Sequence, residues 1–195
     1  GTFLRDIGTA DDGVDPIETG ELSFPVAVAV GYRSAAPNGE LFVALQDRRD
    51  GHGFLHEAHR KGAVAALVDE RARLDAPSAI PLIRVAEPLS ALQRWASTHR
   101  ARLETDLILV TGSSGKTTTK DRIGAILELD GPTHRTQGNL NNHIGVPITL
   151  LGLRPEHRWA VVEIAMNHKG EIAPLAALCR PQHVVLTSVG WAHIG

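Results

Sequence analysis

From Thr111 the chain reads Thr-Gly-Ser-Ser-Gly-Lys-Thr-Thr, ending at Thr118. The two glycines let backbone N–H groups approach an anion closely, and a helix N-terminus following them would add partial positive charge. These residue types point to phosphate binding. Gly112, Ser113, Ser114 and Gly115 would line the phosphates, with Thr118 beside them. Lys116 would reach the β- and γ-phosphates, and the Thr117 hydroxyl would hold Mg²⁺. The spacing is a short form of the motif, because Val110 stands where the commoner pattern has glycine.

A loop of this kind needs a strand before it and a helix after it. Asp106-Leu-Ile-Leu-Val110 is a short apolar run rich in β-formers, and Ile123, Ile126 and Leu127 recur at helical spacing. Further along, residues 159–165 read as a strand that carries one carboxylate, Glu163, near its C-terminal end. A buried carboxylate needs a partner, either a cation or backbone donors. His193 follows a further strand at residues 184–187, so it is a second metal-ligand candidate or simply a surface histidine. Asn139, Asn141 and Asn142 form a polar cluster after Gly138. They suit either a polar ligand or the needs of a turn.

The elements around these residues alternate between strand and helix. Strands are expected at residues 26–30, 41–45, 63–68 and 80–85, with a short helix at 54–61 that Gly62 could end. Pro88 is well placed to open a longer helix whose stripe is Leu89, Leu92, Ala96, His99 and Leu103. Past the phosphate loop, residues 132–135 are a short strand, a helix runs through Leu151, and residues 170–178 look helical despite Pro174. This is the pattern of α/β layers with a mostly parallel sheet. The expected boundary between two domains lies near residue 105.

Composition narrows the classes. The 195 residues are 43% hydrophobic and 22% charged, enough for a substantial core. A net charge of −2 offers no basic field to nucleic acid. The apolar runs are too short to span a bilayer. The single Cys179 precludes an internal disulfide and fits a reducing compartment, so the expected location is cytoplasmic.

Four stretches, at residues 112–118, 138–147, 163–172 and 189–193, occur in an order and spacing that resembles the Mur ligase family. The likeness is strongest to the branch that joins D-alanyl-D-alanine to a UDP-MurNAc-tripeptide. Residues 37–45 and 50–54 are similar to that branch's uridine-nucleotide domain. The resemblance implies a UDP-sugar-substrate domain with a linker helix over residues 1–105 and the first part of a central ATP-binding domain over 106–195. It also implies an ATP- and Mg²⁺-dependent amide ligase of cell-wall precursor synthesis working through an acyl phosphate. By the same resemblance Lys116 contacts phosphate, Thr117 and Glu163 bind one Mg²⁺, and His193 helps to bind a second. Asn139, Asn142, Asn167 and His168 would line the meeting point of nucleotide and peptide, and Arg33 would serve the nucleotide-sugar end. Gly31 and Tyr32 depart from the family's usual Asp-Ser, and Trp191 replaces a smaller residue. The family's metal-bridging lysine and C-terminal domain are expected beyond Gly195, so the chain reads as an N-terminal fragment that forms no amide bond alone. A paralogue with another acceptor, an unrelated nucleotidase or kinase, and a non-catalytic nucleotide-binding module are the competing readings.

Overall fold

The structure, a computed structural model, describes residues 28–30, 41–46, 50–73, 78–166 and 169–190. The chain divides into two compact units, residues 1–95 and 96–195.

In the first unit, β1 (Val28–Val30), β2 (Leu41–Val43), β3 (Ala65–Asp69) and β4 (Leu82–Val85) form a sheet in chain order, parallel throughout. Parallel neighbours need a crossover between them. Between β2 and β3 it is made by a 3-10 turn at Gly51–Phe54 and α1 (Leu55–Arg60). Phe42, Ala44, Leu55, Ala58, Ala66 and Val68 close the core there. Gly51 is required by space: a Cβ would lie 2.6 Å from the Leu45 carbonyl oxygen. His52 is buried beside it. Its Nδ1 lies 2.6 Å from an Asp50 carboxylate oxygen, and its Nε2 accepts the Asp69 N–H. Backbone and side-chain bonds from His52 hold the Asp50 carboxyl below its usual range.

The helix opened by Pro88 is α2 (Pro88–Ala101), and the division between the units falls inside it. Leu92, Ala96 and His99 of the expected stripe are buried, and so are Trp95 and Arg100, which the stripe omitted. Arg100 is only 3% exposed. Its donors go to the carbonyls of Cys179 and Leu103 and to the side-chain oxygen of Gln182.

The second unit holds β5 (Asp106–Thr111), α3 (Lys116–Leu127), β6 (Thr133–Arg135), α4 (Gly145–Leu151), β7 (Trp159–Glu163), α5 (Ile172–Cys179) and β8 (His183–Leu186). Its sheet is parallel with order β6-β7-β5-β8. The fold is therefore the expected α/β class. The apolar core joins Leu107 and Leu109 of β5 with Ala160, Val162 and Ile164 at β7, and with side chains of α4 and α5. Side chains alternate across a strand, so Val110, Val161 and Glu163 point to the opposite face, against which α3 packs. The chain leaves β5 by α3 toward β6, and leaves β7 by α5 toward β8. The two connections run in opposite directions over opposite faces, and such a reversal opens a crevice at the C-terminal ends of the strands. Among the described residues no helix is long and apolar enough to cross a membrane.

Candidate functional site

The crevice lies between the loop after β5 and the end of β7. Val110 pairs with Glu163 in the strand register, so the carboxylate sits level with the residue two before Gly112. Two features shape the loop. Gly112 has φ +138° and Gly115 has φ +79°, backbone conformations that residues with a Cβ seldom adopt. At Gly112 space adds a second demand, because a Cβ would collide with Thr187 Oγ1 and lie 2.9 Å from the Ser188 nitrogen.

Residues after β8 hold the loop from the far side. The Ser113 N–H donates to the Ser188 carbonyl at 3.0 Å and the Ser114 N–H to Ser188 Oγ at 3.0 Å. Thr187 Oγ1 donates to the Ser114 carbonyl at 2.6 Å, and Ser113 Oγ to the Gly190 carbonyl. The helix α3 then starts at Lys116 with Gly115 at its N-cap, where no side chain caps it. The first N–H groups of a helix have no partners inside it, so this end is left open to an anion. Lys116 Nζ donates to the Gly112 carbonyl at 2.7 Å. Thr117 and Thr118 are exposed on the first turn. Thr117 borders a cavity of ≈ 280 Å³ that Lys120, Asp121, Arg135, Thr136 and Gln137 also line.

Glu163 is 2% exposed. Its backbone N–H donates to Thr136 Oγ1, and its Oε1 accepts from Asn141 Nδ2 at 2.8 Å. Oε2 is buried without a partner among the described residues. A carboxylate oxygen stripped of water and left unpaired is expensive, and a cation is the partner that removes the cost. Among the described residues no three His, Cys, Asp or Glu side chains cluster as a metal site. A single buried carboxylate suits Mg²⁺, which keeps several waters and uses one or two carboxylates.

The Asn-rich loop resolves into separate jobs. Asn139 is exposed, and its carbonyl accepts the Asn141 N–H. Asn142 Oδ1 accepts the N–H groups of Ile144 and Gly145 and so begins α4. Asn141, between them, meets Glu163. Gly145 is needed because a Cβ there would run into the Leu140 backbone. Arg33, Asn167, His168 and His193 lie outside the described residues, as do Gly31, Tyr32 and Trp191. Sequence reasoning missed Lys120, which is 3% exposed. Its Nζ donates to the Thr136 carbonyl at 2.9 Å and pairs with Asp121 at 3.2 Å. It therefore ties α3 to the same threonine that receives the Glu163 N–H. Its place four residues after Lys116, on the same helical face, was the available signal.

Residues 110–195 match the Mur ligase middle domain. A UDP-N-acetylmuramoyl-tripeptide–D-alanyl-D-alanine ligase from Synechocystis is 43% identical over 81% of this chain and 35% of its own length. A crystal structure of MurF from Acinetobacter baumannii superposes with TM-score 0.76 at 38% identity, over 87% of this chain and 37% of that one. The MurF ligase of Thermotoga maritima, solved in complex with ADP, gives TM-score 0.73 at 31% identity, over 87% and 39%. The chain thus spans about a third of the length of the curated relatives it matches.

Proposed function

Residues 110–195 belong to the Mur ligase family, and from that premise we propose that the chain carries the phosphate-handling part of an ATP-dependent amide ligase. The reaction is the addition of D-alanyl-D-alanine to a UDP-MurNAc-tripeptide in the cytoplasm. The γ-phosphoryl of ATP passes to the tripeptide carboxylate, the amine of the dipeptide attacks the acyl phosphate, and an amide and inorganic phosphate result. Chemistry of this kind depends on positioning and charge neutralisation more than on a strong base.

The residues divide that work. The open start of α3, behind Gly115, would receive the β-phosphate, while Ser188 holds the N–H groups of Ser113 and Ser114 and so shapes the loop around it. Lys116 exchanges the Gly112 carbonyl for a phosphate oxygen and offsets the charge that grows during transfer. Thr117 and Glu163 would hold Mg²⁺, which when bound would supply positive charge to offset that of the phosphates. Asn139, Asn142, Asn167 and His168 would border the acceptor, His193 a second metal, and Arg33 the uridine end. Residues 1–105 would form the UDP-sugar-substrate domain. The observation that carries this reading is the buried, half-satisfied Glu163 carboxylate in register with the strand that ends in the phosphate loop.

The test is phosphate release by the full chain as the cell makes it, with UDP-MurNAc-tripeptide and D-alanyl-D-alanine each omitted in turn. Amide formation and release that need both substrates support the reading. ATP hydrolysis indifferent to both would point to a nucleotidase. Nucleotide binding without turnover would leave a non-catalytic module.

A further inference from the structure

We propose that Asn141 is a positioning residue that fixes the Glu163 carboxylate while leaving its charge uncompensated for a cation. The inference rests on the reading of Glu163 as a Mg²⁺ ligand given above. Asn141 Nδ2 donates to Glu163 Oε1 at 2.8 Å. An ionised carboxylate can only accept, so the amide nitrogen and not its oxygen must face it.

Asn141 itself has little freedom. Its carbonyl accepts the Ala165 N–H at 2.8 Å, which ties it to the chain leaving β7. On one side of it, the Leu140 N–H donates to the Gln137 carbonyl, and the Leu140 carbonyl accepts from Thr149 Oγ1 of α4. On the other side, Asn142 begins that helix. The donor is thus carried on a loop braced against both α4 and β7, and Glu163 cannot rotate without breaking the bond.

The chemistry of the donor matters as much as its place. A lysine or arginine here would form an ion pair and cancel the charge that a metal needs. A neutral amide satisfies Oε1 and leaves the full negative charge in the buried site, with Oε2 unpartnered among the described residues. Partners that orient a metal-binding side chain commonly change metal affinity by about 10- to 100-fold when they are removed.

The experiment measures Mn²⁺ affinity by electron paramagnetic resonance in the presence of ADP, with thermal unfolding in the absence of metal as a second readout. Asn141→Leu, close in size but without the donor, should bind Mn²⁺ about tenfold more weakly or worse. Asn141→Lys should bind more weakly still, yet unfold at a higher temperature than Asn141→Leu without metal, because its ammonium takes the cation's place. If Asn141→Leu does not fold, Asn141→Ser serves in its stead. Wild-type Mn²⁺ affinity in these variants, with affinity lost in Glu163→Gln, would overturn the role of Asn141 alone. Wild-type affinity in Glu163→Gln would remove the metal reading itself, and this inference with it.

Discussion

Lys116 Nζ lies 2.7 Å from the carbonyl oxygen of Gly112, so the ammonium folds back over the loop it belongs to. The bond gives the cation a neutral partner that a phosphate oxygen can replace at little cost. Lys116→Ala should lower ADP affinity and phosphate release by two orders of magnitude or more, roughly the loss seen when one charge-stabilising donor is removed. The half-buried side chain contributes on the order of 1 kcal/mol to folding through this bond. The urea midpoint should therefore fall by less than about 1 M. Calorimetry with ADP and urea unfolding of the same variant read the two effects separately, and wild-type ADP affinity would sink the assignment.

Alanine at the two loop glycines should separate backbone strain from space. At Gly115 nothing lies within 4 Å of an added Cβ, so only the positive φ opposes it. The expected cost is ~1–2 kcal/mol. At Gly112 the same substitution meets both the strain and the 187–188 segment. It should cost at least ~2 kcal/mol and loosen the loop. Urea denaturation of the pair decides this, and equal losses would count against the packing argument.

Acid should destabilise the second unit before the carboxylates titrate. Burial lowers the pKa of His134 below its ordinary 6.5, and Nε2 is within hydrogen-bond distance of the Thr149 carbonyl. His157, with its ring centroid 5.2 Å away, is lowered by burial as well. With both depressed, the unfolded chain takes up protons first as pH falls through 6.5. Their contribution is present above that pH and is lost progressively below it. The urea midpoint should fall between pH 7.5 and 5.5, and His134→Gln should flatten the slope. An unchanged slope in that variant would assign the effect elsewhere.

The alkaline side has a different sensor. Burial pushes the Cys179 thiol up to about 12 from 9.0. The unfolded thiol ionises first, so stability is intact below pH 9 and declines as pH rises toward 12. Iodoacetamide at pH 8.5 should leave the native protein unmodified and alkylate it only in denaturant. Rapid labelling of the folded chain would contradict the burial.

Much of the architecture was legible because the signals were local. The strand, loop and helix from Asp106 to Leu127 are contiguous, and each carries its own pattern. Pro174 sits third in α5, within the first turn, where a missing N–H costs nothing, so the helix runs on as expected. Proline 147 is placed the same way in α4. What escaped was set by distant partners. A single-residue rule puts arginine outside, yet Arg100 is buried because residues 179 and 182 bring acceptors to it. The three asparagines look alike in sequence. Only the meeting of Asn141 with a residue 22 positions later tells them apart. The strand expected at residues 184–187 is there as β8, but its exposure, with Val184 60% and Leu186 59% accessible, was not legible, because an apolar run does not say which faces are covered.

The clamp of Thr187 and Ser188 on Ser113 and Ser114 spans 73 to 75 positions of chain. The eight residues from Thr111 to Thr118, which look like a self-contained cassette, are therefore not portable. Grafted onto another strand and helix without an equivalent of residues 187–188, they would lose the bonds that hold Ser113 and Ser114. During synthesis the same dependence sets an order: β5 can pair with β7 once Glu163 has emerged, but the loop's own geometry waits for Ser188. The shape that fits a phosphate is thus completed only after β5, α3 and β7 have all been made.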